Sequence, residues 1–543
     1  MWLAETSMLN DNASHLLAKV KQFRAEWVLV AIVLSACLLS VTWVFRVPLL
    51  QNPDETSHID YAFSIYSAGR LLNMRTPPSE WNVHPRLEGR KDREGPESAP
   101  YDLLSHQYTL YLIDATDFQR IRFHPEEKVS SDYGTRSYYQ RVNASAPQVP
   151  ARLADLQPRD NPWIVTAYPF LYYAVVAIFQ RAISFFSNGP VWLFFGARLL
   201  STIFLAANLI LSYVVLRELR LKKTPALMLT AIVAFFPQTI FISASVQPDN
   251  LTMLLVLLCS YFALQFKKQQ PAFKLQLVLG LALAALLVTK YHIFLFTAAA
   301  VLATVITEHI FRRRPIKDLM RQLPILLLPS MLLFAVQLWI VWGGPQITGG
   351  NLHWTKTGLI RGIRNAIYAY YRGGETWISW WGTFGWGDAY LFIVSPAFQT
   401  RLWKVLIALS VLMFGVVIFR VLNVSRLLLR MVQRRRWRMA LRVLFANPLM
   451  TNHFLFSAFM ILLYALSDNS FFAQGRHWFP YTLPGFLLTL YYAPRVFRRK
   501  DTQSSLSTAL MVGLLIYCSV ASYYSLKTIT DRYYPPVTSN ATQ

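Results

Sequence analysis

The chain has 543 residues, 54% of them hydrophobic and 15% aromatic, with a mean hydropathy of +0.32; repeated apolar runs of this kind exclude an ordinary water-soluble protein. The formal charge is +25, but the bases gather in short blocks between apolar runs, a pattern that excludes a nucleic-acid-binding face and marks the cytoplasmic loops of a polytopic membrane protein. Cys37, Cys259 and Cys518 each lie inside an apolar run, which leaves neither a disulfide framework nor a cysteine-based zinc site.

Residues 1–26 read as a cytoplasmic N-terminus bearing Lys19, Lys21 and Arg24. The first apolar run begins near Trp27 and no small-residue cleavage pattern follows it, so it is a retained span and not a signal peptide. Further runs long enough to cross roughly 30 Å of hydrocarbon begin near Val191, Pro225, Leu251, Lys274, His292, Leu323, Arg401, Asn447, Trp478 and Ser505. A twelfth apolar stretch, residues 163–187, contains Pro169 and Arg181. Basic blocks stand at Arg217 to Lys223, Lys267 to Lys274, Arg312 to Arg321, Arg420 to Arg442 and Arg495 to Lys500. These and the N-terminal block share one side of the membrane only if residues 163–187 lie along it as an amphipathic or re-entrant helix. The expected fold is therefore all-α and polytopic, with about eleven transmembrane helices. The membrane domain covers residues 27–525, the N-terminus is inside, and a tail of residues 526–543 is outside.

That topology sorts the polar stretches. The loop 49–190, the turn "SVQPDN" at 245–250, "TKYH" at 289–292, the loop 343–400 and "SDNSFFAQGRH" at 467–477 all fall on the outer face. The first loop is too long for a connector and reads as a small folded subdomain. In Asn52-Pro53-Asp54-Glu55, Asn52 suits a helix cap, proline the first helical position and the acids the positive end of the helix dipole, with Gly69 closing the helix. Helical spacing also puts Asp54, His58 and Tyr61 near one face with Glu55 beside them, which suits a general base or the ligands of a divalent cation, Mg or Mn.

Asp249 sits in a Pro-Asp-Asn turn. Lys290 and His292 stand between two apolar runs with almost no loop to hydrate them, where a charge normally faces a partner or a cavity. The outer stretch Glu375 to Leu391, with Trp386 among its four tryptophans and with interleaved glycines, offers flat apolar surfaces for a lipid or sugar as well as an aromatic belt. Arg476 has the forked guanidinium that suits a phosphate, and His477 follows it. No phosphate-cradling glycine loop, HExxH or GxSxG is present.

Taken in order, "PDETSH", "YPFLYYAVVAIFQRAI", "ARLLSTIFLAANLILSYVVLREL", "PDN", "TKYH", "GTFGWGD" and "QGRHWFP" resemble a bacterial family of predicted polytopic membrane proteins of unknown function. That family in turn resembles the membrane-embedded GT-C glycosyltransferases, including protein O-mannosyltransferases and the aminoarabinose transferase that acts on lipid A. The resemblance covers roughly residues 27–525. It implies a sugar donor on a polyprenyl phosphate and a catalytic acid in the first outer loop, which puts Asp54 in that position with Glu55 adjacent. It matches Lys290 to a lysine at the outer end of the fifth span. The 163–187 helix matches an outer amphipathic helix that carries Lys-Pro where this chain has Tyr168-Pro169, and His477 stands where relatives more often have tyrosine.

The expectation that follows is an inner-membrane glycosyltransferase, active on the periplasmic face, that moves a sugar from a polyprenyl-phosphate carrier to a glycan, lipid or protein acceptor of the cell envelope. Asp54 would be the base, with a divalent cation shared with Glu55 or Asp249 as an option. Lys290 and Arg476 would offset the leaving phosphate, while His58, Asp249, His292, Trp386 and His477 would complete the binding site. Membrane lipids are the other expected partner. The rival readings are a transporter or flippase of lipid-linked saccharides, and a polymerase that joins whole glycans. A transporter is expected to place its polar residues near the bilayer midplane, whereas here they fall at one edge.

Overall fold

The computed structural model describes residues 26–71, 106–122, 124, 126–146, 168–268, 272–341, 383–384, 389–390, 425–466, 475–492 and 500–535. In chain order the helices are α1 (Glu26–Arg46), α2 (Glu55–Ala68), α3 (Gln107–Ala115), α4 (Phe118–Ile121), α5 (Arg136–Ala144), α6 (Leu171–Ser184), α7 (Pro190–Glu218), α8 (Lys223–Ala234) and α9 (Pro237–Ser243). They continue with α10 (Asp249–Lys268), α11 (Phe273–Leu287), α12 (Tyr291–Phe311), α13 (Ile316–Val341), α14 (425–433), α15 (Trp437–Leu444), α16 (Pro448–Leu466), α17 (Thr482–Phe486) and α18 (Lys500–Tyr533). A tight 3-10 turn, Gly475–Tyr481, leads into α17, and a wider π turn, Leu487–Tyr492, follows it. A two-residue antiparallel pair, β1 (Thr383–Phe384) and β2 (Ala389–Tyr390), is the extended structure among the described residues.

Among the described residues, α1, α7, α10, α12, α13 and α18 are long and apolar enough to cross a membrane, and α8 with α9 would make a seventh span, bent by 60°. The chain is a multi-pass, all-helical membrane protein. Of the remaining expected spans, the run near Arg401 lies outside the described residues. The run near Lys274 becomes α11, whose 15 residues extend only about 22 Å. The run near Trp478 is broken into 3-10, α and π turns, with Pro480 inside the first of them. The bend between α8 and α9 falls at Phe235-Phe236-Pro237, where proline removes a backbone donor and disfavours helix in the residue before it. Within residues 163–187 the helix is α6; its 14 residues reach about 21 Å, short of a bilayer crossing.

Two opposite ends of the bundle differ in chemistry. Helix α10 starts at Asp249 and finishes at Lys268, and α12 follows Lys290 and finishes beside Arg312; a 20-residue helix spans about 30 Å, so these two separate the ends by a bilayer thickness. At the far end four of the basic blocks meet: Lys268 pairs with Glu218, Arg312 donates to the Lys267 carbonyl, and Arg442 pairs with Glu308 at 3.0 Å. At the near end lie α2, the 245–250 turn and the α11–α12 junction.

A cap of short helices covers the near end. Arg532 of α18 is buried and donates to the carbonyls of Ile121 (2.8 Å) and Glu127 (3.1 Å), while the Val129 N–H donates to Tyr533 O at 2.8 Å. The Tyr133 hydroxyl accepts from Leu49 N–H at 2.7 Å. Thus the segment 106–146, part of the first long loop, packs on both α2 and the end of α18.

In the middle of the bundle, Gly280 of α11 permits a close crossing with α13. A Cβ at that position would meet Ile325 O at 2.8 Å and Leu326 O at 2.9 Å. Pro329 within α13 supplies no N–H to the Ile325 carbonyl, and the small residue lets the helices approach there.

Candidate functional site

The segment between α1 and α2 is held in an unusual backbone. Leu50 and Asp54 both adopt left-handed conformations (φ 66° and 60°); Asp tolerates this, whereas Leu does so only under tertiary constraint. Helix α2 then begins at Glu55, with Asp54 as the flanking residue, and its side chain makes no capping bond. Asn52 therefore does not cap the helix as its residue type suggested; its amide donates to Glu55 Oε2 at 3.3 Å. Gly69 does close the helix, at φ 65° with its N–H on Ile65 O.

The constraint on this turn comes from Arg198, nine residues into α7 and fully buried. Its Nε and Nη2 donate to the two Glu55 oxygens at 2.8 and 2.7 Å. Its remaining N–H groups go to the carbonyls of Val44 (2.9 Å), Val47 (2.6 Å) and Pro48 (2.9 Å). All five guanidinium donors are engaged, and they close the last turn of α1, whose carbonyls have no helical partners. Glu55 also accepts from Val246 N–H at 3.0 Å, and Gln247 donates to Pro53 O at 2.8 Å. One buried ion pair thereby fastens the Asp54 turn to the 245–250 turn.

That placement bears on the sequence assignment of Glu55. Its side chain is fully buried and both oxygens are occupied, so it is poorly placed to take a substrate proton or to share a metal with Asp54. Among the described residues no group of three or more His, Cys, Asp or Glu side chains stands close enough to hold a metal ion. Asp54 itself is partly exposed at the rim of the turn.

The other near-end residues converge on α6. The Tyr173 hydroxyl and His58 Nδ1 share a hydrogen bond of 2.8 Å, and Tyr173 packs against Tyr61 with ring centres 4.6 Å apart. The Tyr168 ring stands edge-on to His58 at 5.3 Å. Tyr172 lies within electrostatic range of both Glu55 and Asp249. Asp249 and Lys290 form an ion pair of 2.5 Å with 12% and 17% of their side chains exposed, enough exposure for a ligand to reach them. The start of α6 is tied to the same place: Leu171 N–H donates to Val288 O at 2.9 Å and Phe170 N–H to Gln337 Oε1 at 3.2 Å.

His292 stacks on Phe456 of α16, 6.5 Å between ring centres. Arg476 and His477 occupy the 3-10 turn Gly475–Tyr481, but their side chains, and Trp386 as a whole, lie outside the described residues. The turn is anchored by a buried relay in which Tyr481 donates to Asn452 Oδ1 (2.9 Å) and Asn452 donates to Thr297 (2.8 Å).

The sequence reading missed Arg198, Tyr172, Tyr173 and Gln247. Arg198 carried a signal, an arginine inside a long apolar run, since a charge at that depth needs a partner. The tyrosines lie within the 163–187 stretch, and nothing in their spacing marked them.

The comparisons agree with this architecture at the level of family. No curated protein matches the chain. The model of a family described as predicted membrane protein (DUF2142) matches residues 37–530, and the chain belongs to that family.

Proposed function

We propose that the protein is a glycosyltransferase of the inner membrane, with a GT-C-like fold of about eleven spans and a site facing the periplasm, that transfers a sugar from a polyprenyl-phosphate carrier to an envelope acceptor. The observation that carries this reading is the meeting of the Asp54 turn, the Asp249–Lys290 pair and the His58–Tyr173 contact at one end of the bundle. Asp54, partly exposed, is the base for the acceptor hydroxyl. Lys290, steadied by Asp249, offsets the charge that builds on the departing phosphate. Tyr168, exposed just before α6 and edge-on to His58, offers a flat apolar surface of the kind a sugar ring packs on. Glu55 acts at one remove: paired with Arg198, it holds the Asp54 turn against the 245–250 turn. Trp386, Arg476 and His477 keep their proposed places in substrate binding on the chemistry and position of these residue types in the sequence.

The test is transfer by purified protein in proteoliposomes supplied with polyprenyl-phosphate sugars and envelope acceptors. Asp54→Asn should lower turnover by about 10²- to 10⁴-fold, the span of general-base catalysis, and Lys290→Met should do so by a comparable factor. Full activity in Asp54→Asn would sink the base assignment. Movement of an intact lipid-linked saccharide across the vesicle wall without sugar transfer would make the protein a transporter instead.

A further inference from the structure

The far end of the bundle holds a feature that sugar transfer does not use. A cavity of about 390 Å³ opens between the ends of α7, α10 and α12 and the short helix α15. Arg220, Lys267, Lys268 and Arg442 line it, and the carboxylates that compensate them are Glu218, on Lys268, and Glu308, on Arg442. Glu308 also pairs with Arg312 at 3.3 Å, so five cations share two acids, leaving positive charge uncompensated.

The walls between these cations are apolar. Phe311 lies under the Arg442 guanidinium at 3.8 Å, and Leu264, Met439 and Val443 also line the cavity. Helix α15 continues that apolar surface outward, because Trp437, Met439, Val443 and Leu444 are exposed while Ala440 is buried. Three arginines, 434–436, precede it. An amphipathic helix with a basic flank lies in the headgroup layer of a bilayer, and α10 sets this end one bilayer thickness from Asp249.

We infer that this cavity is a binding site for the headgroup of an anionic phospholipid, with the phosphate among Arg220, Lys267, Lys268 and Arg442 and the acyl chains leaving along α15. The charge calls for an anion, and basic pockets between membrane helices hold such headgroups. The apolar walls select a lipid over a soluble phosphate, which would leave Phe311, Met439 and Val443 in water. The site is separate from the proposed transfer chemistry at the opposite end.

The test is native mass spectrometry of the purified full chain in a mixture of phosphatidylglycerol and phosphatidylcholine, with thermal unfolding in the same lipids. Wild-type protein should retain phosphatidylglycerol preferentially and be stabilised by it. The double variant Arg220→Gln/Lys268→Gln should lose about 30-fold in phosphatidylglycerol retention, since each charge near an anionic surface is worth about a factor of five. Arg136→Gln, an exposed residue of α5 at the opposite end of the bundle, is the control and should keep the preference. If the double variant does not fold, Arg220→Gln alone should show a loss of about fivefold. Equal retention of the two lipids by wild type, or undiminished retention by the variants, would overturn the site. Equal stabilisation by inorganic phosphate would show a soluble-anion site and overturn the lipid assignment.

Discussion

Arg198→Met is the most searching perturbation of the near end. Methionine matches the aliphatic stem but supplies none of the five donors, so Glu55 keeps only the Val246 N–H and the weak Asn52 contact, while the carbonyls of Val44, Val47 and Pro48 lose their partner. Removing one member of a buried pair costs about 3–5 kcal/mol. The orphaned carbonyls would each add about 1 kcal/mol or more if they stayed dry; local hydration will absorb part of that, so about 3–5 kcal/mol is the expected loss. Glu55→Gln should cost less, about 1.5–3 kcal/mol, because it removes charge assistance yet keeps an acceptor. The double variant Arg198→Met/Glu55→Gln should be more stable than the sum of its singles, with a coupling of about 2 kcal/mol or more. Unfolding by detergent titration in bicelles, run as a double-mutant cycle, measures all three. A coupling near zero, or an Arg198→Met variant as stable as wild type, would refute the clamp and leave the shape of the Asp54 turn without its cause.

Other expectations test other parts of the molecule. His106, in the cap, donates its backbone N–H to Asp60, shares a 2.7 Å bond between Nε2 and Ser67, and accepts from Tyr108 N–H at Nδ1; burial lowers its pKa to about 3. Folded His106 stays neutral while the unfolded chain takes up a proton below about pH 6.5, so the cap is stable above that pH and loses stability as pH falls toward 3. About 2 kcal/mol should be gone by pH 5. Hydrogen exchange in α3 at pH 7 and pH 5 reads this, and His106→Gln should flatten the dependence; an unchanged exchange profile would refute it. Gly280→Ala drives a methyl into two backbone carbonyls of α13 and should destabilise by about 1–3 kcal/mol, read as a lower unfolding midpoint, whereas Gly513→Ala, where a Cβ meets nothing within 4 Å, should be close to neutral. Asn452→Leu breaks the Tyr481–Asn452–Thr297 relay and should raise the accessibility of a cysteine placed at residue 475 to a water-soluble reagent; unchanged labelling would show that the relay does not anchor that turn.

Much of the framework was legible in the sequence because hydrophobic length and charge position are local properties. The runs at Trp27, Val191, Leu251 and His292 match α1, α7, α10 and α12, and four of the six basic blocks gather at one end of the bundle, while the block at Lys19 to Arg24 and most of that at Arg495 to Lys500 lie outside the described residues. Lys290 could be singled out because it had almost no loop to hydrate it, and its partner is Asp249 of the Pro-Asp-Asn turn. Partners distant in sequence were not legible. Glu55 looked like half of a catalytic or metal-binding pair, yet its partner lies 143 positions away, and nothing local distinguishes a carboxylate that faces substrate from one that meets a buried guanidinium. The broken run near Trp478 and the bend at Pro237 were hidden for the opposite reason: hydropathy averages over a window, while one proline acts on a single peptide bond.

The clasp between the cap and α18 has a consequence for biogenesis. Lys128 and the carbonyl of Arg532 that it reaches are 404 residues apart. At about 5–20 residues per second, a ribosome delivers that second partner roughly 20–80 s after the first. Throughout that interval the aromatic underside of the early segment has no lid to rest against. A chaperone at the translocon, or transient docking on α2 alone, must shelter it, and arrest of translation before α18 should leave a protease-sensitive nascent chain with every earlier helix already inserted.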